Sequence, residues 1–417
     1  MRGVLRAFGW TAVGLGSILL GGYGLLLLIN ARDEPPSTQA LHLARVYAQR
    51  PAVADADNGF LYVARMGLPT GEGKLPFAEQ PAVRALTLAC DGDYLQCAQA
   101  LDDDAAAVAS QWLAHDAELL AQYHTLIAFP QWRETVADDP TSLPPYQHAM
   151  RGQRLLLMQA WLVARGGDAA GVTLALEQDL CFWRRVLRDS DSLIGKSVAA
   201  AAIRQHFGLG NLVMRELGAG RVDSIPAQWH MPLSEEERAL ERAMAGEWRL
   251  VDASIRDMVA NGRESADATW LDRLQRPFFK PQASINLAAE RYEGLGKASR
   301  SPYPELAAAV TRADSPTVRW WQWLFNPAGR VPMVVASGRY GDYVISVADL
   351  EGARGAALAT ATLRARGAAL VDMGATIAAA DMPRDPYTGQ PFAWHAETGA
   401  VAFAGHDPRP HLYSYRY

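Results

Sequence analysis

From Ala7 to Asn30 the chain reads AFGWTAVGLGSILLGGYGLLLLIN, 24 residues without a charge, where about 20 suffice to cross the ~30 Å hydrocarbon layer of a bilayer. The stretch predicts a transmembrane helix over residues 7–30, leaving everything after it to form a body on one side. Arg2 and Arg6 precede the segment, and a single arginine followed by two acids, Arg32-Asp33-Glu34, comes after it. The positive-inside rule then puts residues 1–6 in the cytoplasm and the body outside. Trp10 and Tyr23 suit the two interfaces. A cleaved signal peptide is the competing reading, but its apolar region runs about 7–15 residues before a small-residue cleavage site. This segment is longer, and Ile29 and Ala31 make a poor cleavage pair. No cysteine precedes Cys90, which argues against a lipoprotein.

A chain of 417 residues is long enough to bury a large core without metals or disulfides. The expected fold class is mainly α: a transmembrane helix, a short 31–37 linker, a multi-helix periplasmic body over 38–330, and a C-terminal helix with a small antiparallel β clasp over 331–417. Ser37 or Thr38 caps a helix running to about Gln49. From Asp102, residues Val108, Trp112, Leu119, Tyr123 and Ile127 recur on one helical face, which turns Asp116 and Glu118 toward solvent. Further helices are expected at 145–165, 168–188, 192–217, 234–261 and 341–366. Ser234 and Glu237 form a capping box, and Gly218 and Gly220 are helix stops. The segments 276–292 and 319–330 are expected to be irregular, and Asn58-Gly59 and Pro69–Gly73 bracket one or two helical turns.

In an oxidising compartment Cys90 and Cys97 can close a disulfide, whereas Cys181 reads as a small buried hydrophobe. With 40 basic against 45 acidic residues the formal charge is −5, without the concentrated basic face that nucleic acid requires. The pairs Arg151/Arg154 and Arg184/Arg185 read as solvated helix faces. The nine histidines are scattered, His406 and His411 being the closest pair, so neither a metal nor a cofactor is expected. Serine-hydrolase and phosphate-loop motifs are missing; VASGRYG at 335–341 lacks the required first glycine. Paired carboxylates are harder to exclude, and Glu247, between Gly246 and Trp248, is the acid to inspect first. Trp320, Trp321 and Trp323 read first as core packing, and second as a binding surface for a partner, a ligand or the bilayer.

The chain closes on MPRDPYTGQPFAWHAETG, residues 382–399. Asp385, Pro386, Thr388 and Gly389 each favour a turn, and the alternation of Phe392 with Trp394 and Val401 with Phe403 predicts short antiparallel strands. This DP-x-x-G-x-P segment resembles the C-terminal turn of the type II secretion pseudopilins over about 30 residues. That resemblance implies a calcium loop, for which Glu397 and Asp407 are too few oxygens. Together with DNGFLYVARMGLPTGEG, RPFFKPQASINLAAERY and NPAGRVPMV, it also resembles a group of uncharacterised membrane-anchored proteins of Gram-negative bacteria, which implies no activity. The expected function is a single-pass inner-membrane protein, not an enzyme, whose periplasmic domain binds a protein or envelope partner, in one version as an immunity or inhibitor protein. The alternatives are a periplasmic hydrolase of peptidoglycan, glycan or lipid, and a scaffold subunit of an envelope or secretion complex.

Overall fold

The computed structural model describes residues 2–66, 81–101, 103–135, 143–262, 274–315, 320–335, 339–407 and 413–417. The turn expected at Pro69–Gly73 and His411 lie outside them. The described chain is mainly helical, with a small three-stranded sheet at its C-terminus.

Helix α1, Arg2–Ile29, comes first. Among the described residues no helix is long and apolar enough to cross a membrane. The expected span over 7–30 therefore remains a sequence argument. Six of its 24 residues are glycines, which add no side-chain apolar area, and the side chains of residues 1–9 and of Ala12 lie outside the description.

The body opens with α2 (Thr38–Ala48), capped by Ser37 as its hydroxyl accepts from the Ala40 N–H. Short helices α3 (Gly59–Val63), α4 (Pro81–Ala89) and α5 (Tyr94–Ala100) follow. Cys90 and Cys97 are disulfide-bonded between the last two. The expected long helix from Asp102 is two helices, α6 (Asp103–His115) and α7 (Ala117–Ile127), broken at Asp116. The Asp116 carboxylate accepts from the Trp112 indole at 2.9 Å and from Arg151 at 2.7 Å. Its side chain is thus mostly buried at the break rather than turned to solvent on a continuous helix.

Three long helices come next: α8 (Tyr146–Arg165), α9 (Ala169–Asp189) and α10 (Leu193–Glu216). Gly218 and Gly220 end α10 in left-handed conformations, with φ of 77° and 79°, at little steric cost to a residue without a Cβ. The 234–261 helix is also divided. Its capping box forms α12 (Glu235–Arg238) after the single turn α11 (Ala227–His230), and the chain extends at Ala239 before α13 (Glu241–Gly262). The expected irregular stretch 276–292 becomes helical at α14 (Pro281–Ala298), because Pro281 sits in the first turn, where no backbone donor is lost. Then come α15 (Tyr303–Asp314), α16 (Pro327–Val335), α17 (Tyr340–Ala365) and α18 (Met373–Ile377).

Helix α10 lies at the centre, against α8, α9 and α17, while α13 packs on α14 and α2. Both α10 and α17 are buried nearly all round, which their alanine and glycine content permits by letting neighbouring elements approach closely. The strands β1 (Ala393–His395), β2 (Ala400–Phe403) and β3 (Tyr413–Arg416) form an antiparallel meander, Trp394 opposite Val401 and Val401 opposite Tyr415. Strands β2 and β3 lie on α17. Arg364 of α17 reaches through to the Asn211 carbonyl of α10 at 2.8 Å and to the carbonyl of Arg416, tying the last strand to the central helix.

The DPYTGQP turn faces this body. The Asp385 carboxylate accepts from the Tyr387 N–H at 2.8 Å, Gly389 takes a φ of 68°, and the Tyr387 hydroxyl donates to Asp349 at 2.7 Å. The His406 and Asp407 N–H groups donate to the same carboxylate. A Cβ on Gly352 would stand 2.2 Å from the Phe403 ring, whereas one on Gly374 would meet nothing within 4 Å. Gly352→Ala should therefore lower stability by about 1–3 kcal/mol through overpacking of the sheet on α17. Gly374→Ala should change it by less than about 0.5 kcal/mol. Urea unfolding of the two variants checks the contrast.

Candidate functional site

Polar groups collect at two centres inside the helical body. The first joins α7, α8, α9 and α10. Asp179 accepts from Gln153 at 2.9 Å, from the Tyr123 hydroxyl, and from His206 Nδ1 at 2.7 Å. The Trp229 indole donates to His206 Nε2 at 2.8 Å, so that nitrogen carries its lone pair and Nδ1 carries the proton. Both ring nitrogens are used and the aspartate–histidine pair is fully buried. The arrangement resembles a catalytic dyad only in composition, since neither group is open to a substrate. Burial, followed by the charge of Asp179, holds the Tyr123 phenol well above its ordinary range.

The second centre surrounds the turn between α9 and α10. Ser192 caps α10, its hydroxyl accepting from the Gly195 N–H at 3.1 Å while donating to Glu134 Oε2 at 2.5 Å. Glu134 also accepts from the Trp132 indole at 3.1 Å and the Asp191 N–H at 3.2 Å. Asp191 is held by Arg50 at 3.1 Å and Arg242 at 2.7 Å. One turn along α10, Lys196 donates to the Ala239 carbonyl at 2.7 Å, satisfying the extended residue between α12 and α13. Burial pushes Glu134 up to about 7 and Lys196 down to about 7. Perturbed groups of this kind mark active sites when a cleft reaches them. Here burial is the first cause of both shifts, and neither residue lines a described hollow. The centre acts as a helix cap and an inter-helix joint.

The residues singled out in the sequence fall at separate places. Glu247 accepts from the Leu193 N–H at 2.9 Å, so it too caps α10, and burial raises its carboxyl above the usual range. Arg184 is buried rather than solvated, in a two-pronged ion pair with Glu237 at 2.6 and 2.8 Å. Cys181 is exposed rather than buried. It borders a hollow of about 360 Å³ with His124, Glu177, Arg185 and Gln228.

The tryptophan cluster departs most from its core-packing expectation. Trp320–Leu324 is a 3-10 turn, with Trp320 73 % and Trp321 48 % exposed and Trp323 half-buried. It is fastened to the end of α1. Asn30 donates to the Leu324 carbonyl at 2.8 Å and accepts from the Asn326 N–H at 2.7 Å. Asn326, with a φ of 51°, in turn accepts from the Lys280 N–H at 2.8 Å and donates to Ser284 at 2.9 Å. Tyr23 of α1 packs edge-on against Phe278 at 5.4 Å. The expected 31–37 linker is docked as well. Asp33 accepts from the Gln282 and Ala283 N–H groups, capping α14, and Glu34 accepts from Asn286.

A groove of about 500 Å³ lies between α2 and α13, where Ala40, Leu41, Ala44, Tyr47 and Ala48 of α2 face Trp248, Arg249, Asp252 and Arg256 of α13. Sequence reasoning missed Glu134, Asp179, Ser192, Lys196, His206 and Trp248. For those on α10 a signal existed: Lys196 and His206 are ionisable residues on a helix of alanines, glycines and apolar side chains, where a buried polar group must find partners. Among the described residues no cluster of His, Cys, Asp and Glu could hold a metal ion. No family model, curated protein or solved structure matches the chain.

The shifts of Glu134 and Lys196 set a pH dependence. Between about 4.5 and 7 the unfolded Glu134 loses its proton and the folded one keeps it, so stability falls as pH rises. Between about 7 and 10.5 the unfolded Lys196 keeps its proton and the folded one has lost it, so stability rises. Glu134→Gln should flatten the acid limb, removing a slope on the order of 1 kcal/mol per pH unit. Urea unfolding at several pH values between 4.5 and 7 measures it, and an unchanged slope would leave the proton with another group.

Proposed function

We propose that this is a single-pass protein of the bacterial inner membrane, anchored by α1, whose helical body sits on the periplasmic side and binds a partner at the membrane surface. The observation that carries the reading is the junction at Asn30, where hydrogen bonds fasten an apolar helix to an exposed tryptophan turn and, through Asn326, to α14. Trp10, Ile18, Leu19, Leu20 and Leu28 of α1 are each at least 70 % exposed. Apolar surface exposed around a helix in this way costs about 25 cal/mol per Å² in water and nothing comparable in a bilayer. Arg2 and Arg6 favour a cytoplasmic N-terminus, and the Cys90–Cys97 disulfide fits an oxidising compartment.

Trp320, Trp321 and Trp323 then lie where the chain leaves the membrane. Tryptophan suits that depth, with an apolar ring and one N–H for the headgroup layer. Binding is favoured over hydrolysis because each described hollow gathers a single carboxylate, Asp252 in one and Glu177 in the other, whereas glycosidic chemistry needs two.

Spin labels on the full-length protein, reconstituted in vesicles with Cys181→Ser, test the arrangement. A label at Leu19→Cys should relax with oxygen rather than with a water-soluble nickel complex. One at Gln322→Cys should show the mixed accessibility of the headgroup layer, and one at Leu174→Cys should favour nickel. Nickel access at Leu19→Cys would sink the anchor; nickel access at Gln322→Cys alone would lift the tryptophan turn off the bilayer and leave the anchor standing.

A further inference from the structure

We propose that the groove between α2 and α13 holds a lipid: an acyl chain along its apolar lining, with an anionic group at the arginines. The proposal rests on the membrane-anchor reading for the supply of its ligand. The wall on this side comes from Ala40, Ala44 and Ala48 of α2, spaced four apart, with Leu41 and Tyr47 beside them and Pro36 just ahead of the helix. That spacing puts the small residues on one helix face, leaving a long shallow trough. Across from it, Trp248, Asp252 and Arg256 recur at the same spacing on α13, with Arg249 next to them.

Three features define the occupant. The first is the apolar lining: the Trp248 ring, 6 % exposed overall, shares the wall with Ala40, Leu41, Ala44 and Ala48, which suits a hydrocarbon chain that brings no polar groups of its own. The second is charge. Asp252 is shared by Arg249 at 3.3 Å and Arg256 at 2.8 Å, which leaves one positive charge in excess at the rim and suits an anion. The third is location. Pro36 and Gln282 form part of the lining, and both adjoin the docked stalk through Asp33 and Ser37, within a few residues of the end of α1. A bound peptide would bring a row of backbone donors and acceptors that alanine side chains cannot answer, whereas an acyl chain needs none. The volume lies in the range of about 300–1,000 Å³ found for small-molecule sites. A phospholipid and a free fatty acid share this chemistry, an acyl chain ending in an anionic group.

Full-length protein in detergent, titrated with dibrominated phosphatidylglycerol or dibrominated stearate, tests the proposal through tryptophan quenching. A saturable, stoichiometric component should appear and should vanish in Trp248→Phe. Ala44→Phe, which fills the trough, should weaken it about tenfold. Arg256→Gln, on an exposed side chain whose loss leaves Asp252 paired with Arg249, should weaken anionic ligands several-fold and leave dibrominated phosphatidylcholine unchanged. Saturation by the phospholipid alone, or by the fatty acid alone, identifies the source. Quenching that only follows the lipid-to-detergent ratio and is equal in all variants overturns the site. If label accessibility at Leu19→Cys removes the anchor while saturable quenching by stearate persists, the groove stands without it; the reverse pattern leaves the anchor and removes the groove.

Discussion

Two buried asparagines decide how α1 meets the rest of the molecule. Asn30 is the last residue of the uncharged segment, and its side chain spends both ends on the turn that follows Trp323. Asn326 repeats the device in the other direction, tying Lys280 and Ser284 to the same point. Each is only 2 % exposed, so their amides have no competing water, and a lost partner would leave a desolvated polar group costing about 1–3 kcal/mol. The left-handed backbone at Asn326 adds to the constraint, since asparagine tolerates that conformation better than most residues. The chain around it cannot change conformation without breaking several bonds together. An ordinary tethered domain hangs from a mobile stalk; here Asp33 and Glu34 extend the joint into α14, and the stalk becomes part of the body's surface.

Away from the junction, close packing of small residues organises the body. Helices α10 and α17 are buried on almost every face because alanine and glycine let neighbours approach; at Gly352 the Phe403 ring occupies the space a side chain would need. Apolar packing of this type is non-directional. The polar centres supply direction. Asp179 and its donors can be satisfied in one register of α7, α8, α9 and α10, and the caps of Ser192, Glu134 and Glu247 fix where α10 starts. This division explains why perturbed carboxylates occur in the core without a cleft: their hydrogen bonds select one arrangement among helices whose apolar surfaces would tolerate several.

The sequence made most of the long helices legible, because periodicity and caps are local signals. Ser234 and Glu237 form the expected capping box, and the C-terminal alternation of aromatics forms the expected small sheet. What failed to show was set by tertiary partners. Asp116 interrupts an apparently continuous helix because Trp112 and Arg151 bind its carboxylate, and Arg151 arrives from a helix more than 30 residues away. Arg184 looked solvated because its partner Glu237 sits in a different helix. The tryptophans at 320, 321 and 323 looked like core on composition, yet they fall on a short 3-10 turn with no layer of structure over it, and two of the three emerge on the surface. Trp248 gave no local signal, since an unpaired indole N–H is a property of what surrounds it.

The junction and the groove are best understood together. Asp33 holds the start of α14 while Ser37, four residues later, caps α2, so the stalk fixes the near end of the groove as well as the angle of α1. On the proposal that α1 is a membrane anchor, the end lined by Pro36 and Gln282 is the one next to the docked stalk and so nearest the headgroups along the chain. An amphiphile entering by its chain would have to expose that chain to water first; entering beside the stalk, it moves from lipid to alanine wall without doing so. On that proposal the docked stalk bears on binding directly, because a free stalk would separate the groove from the surface that supplies it.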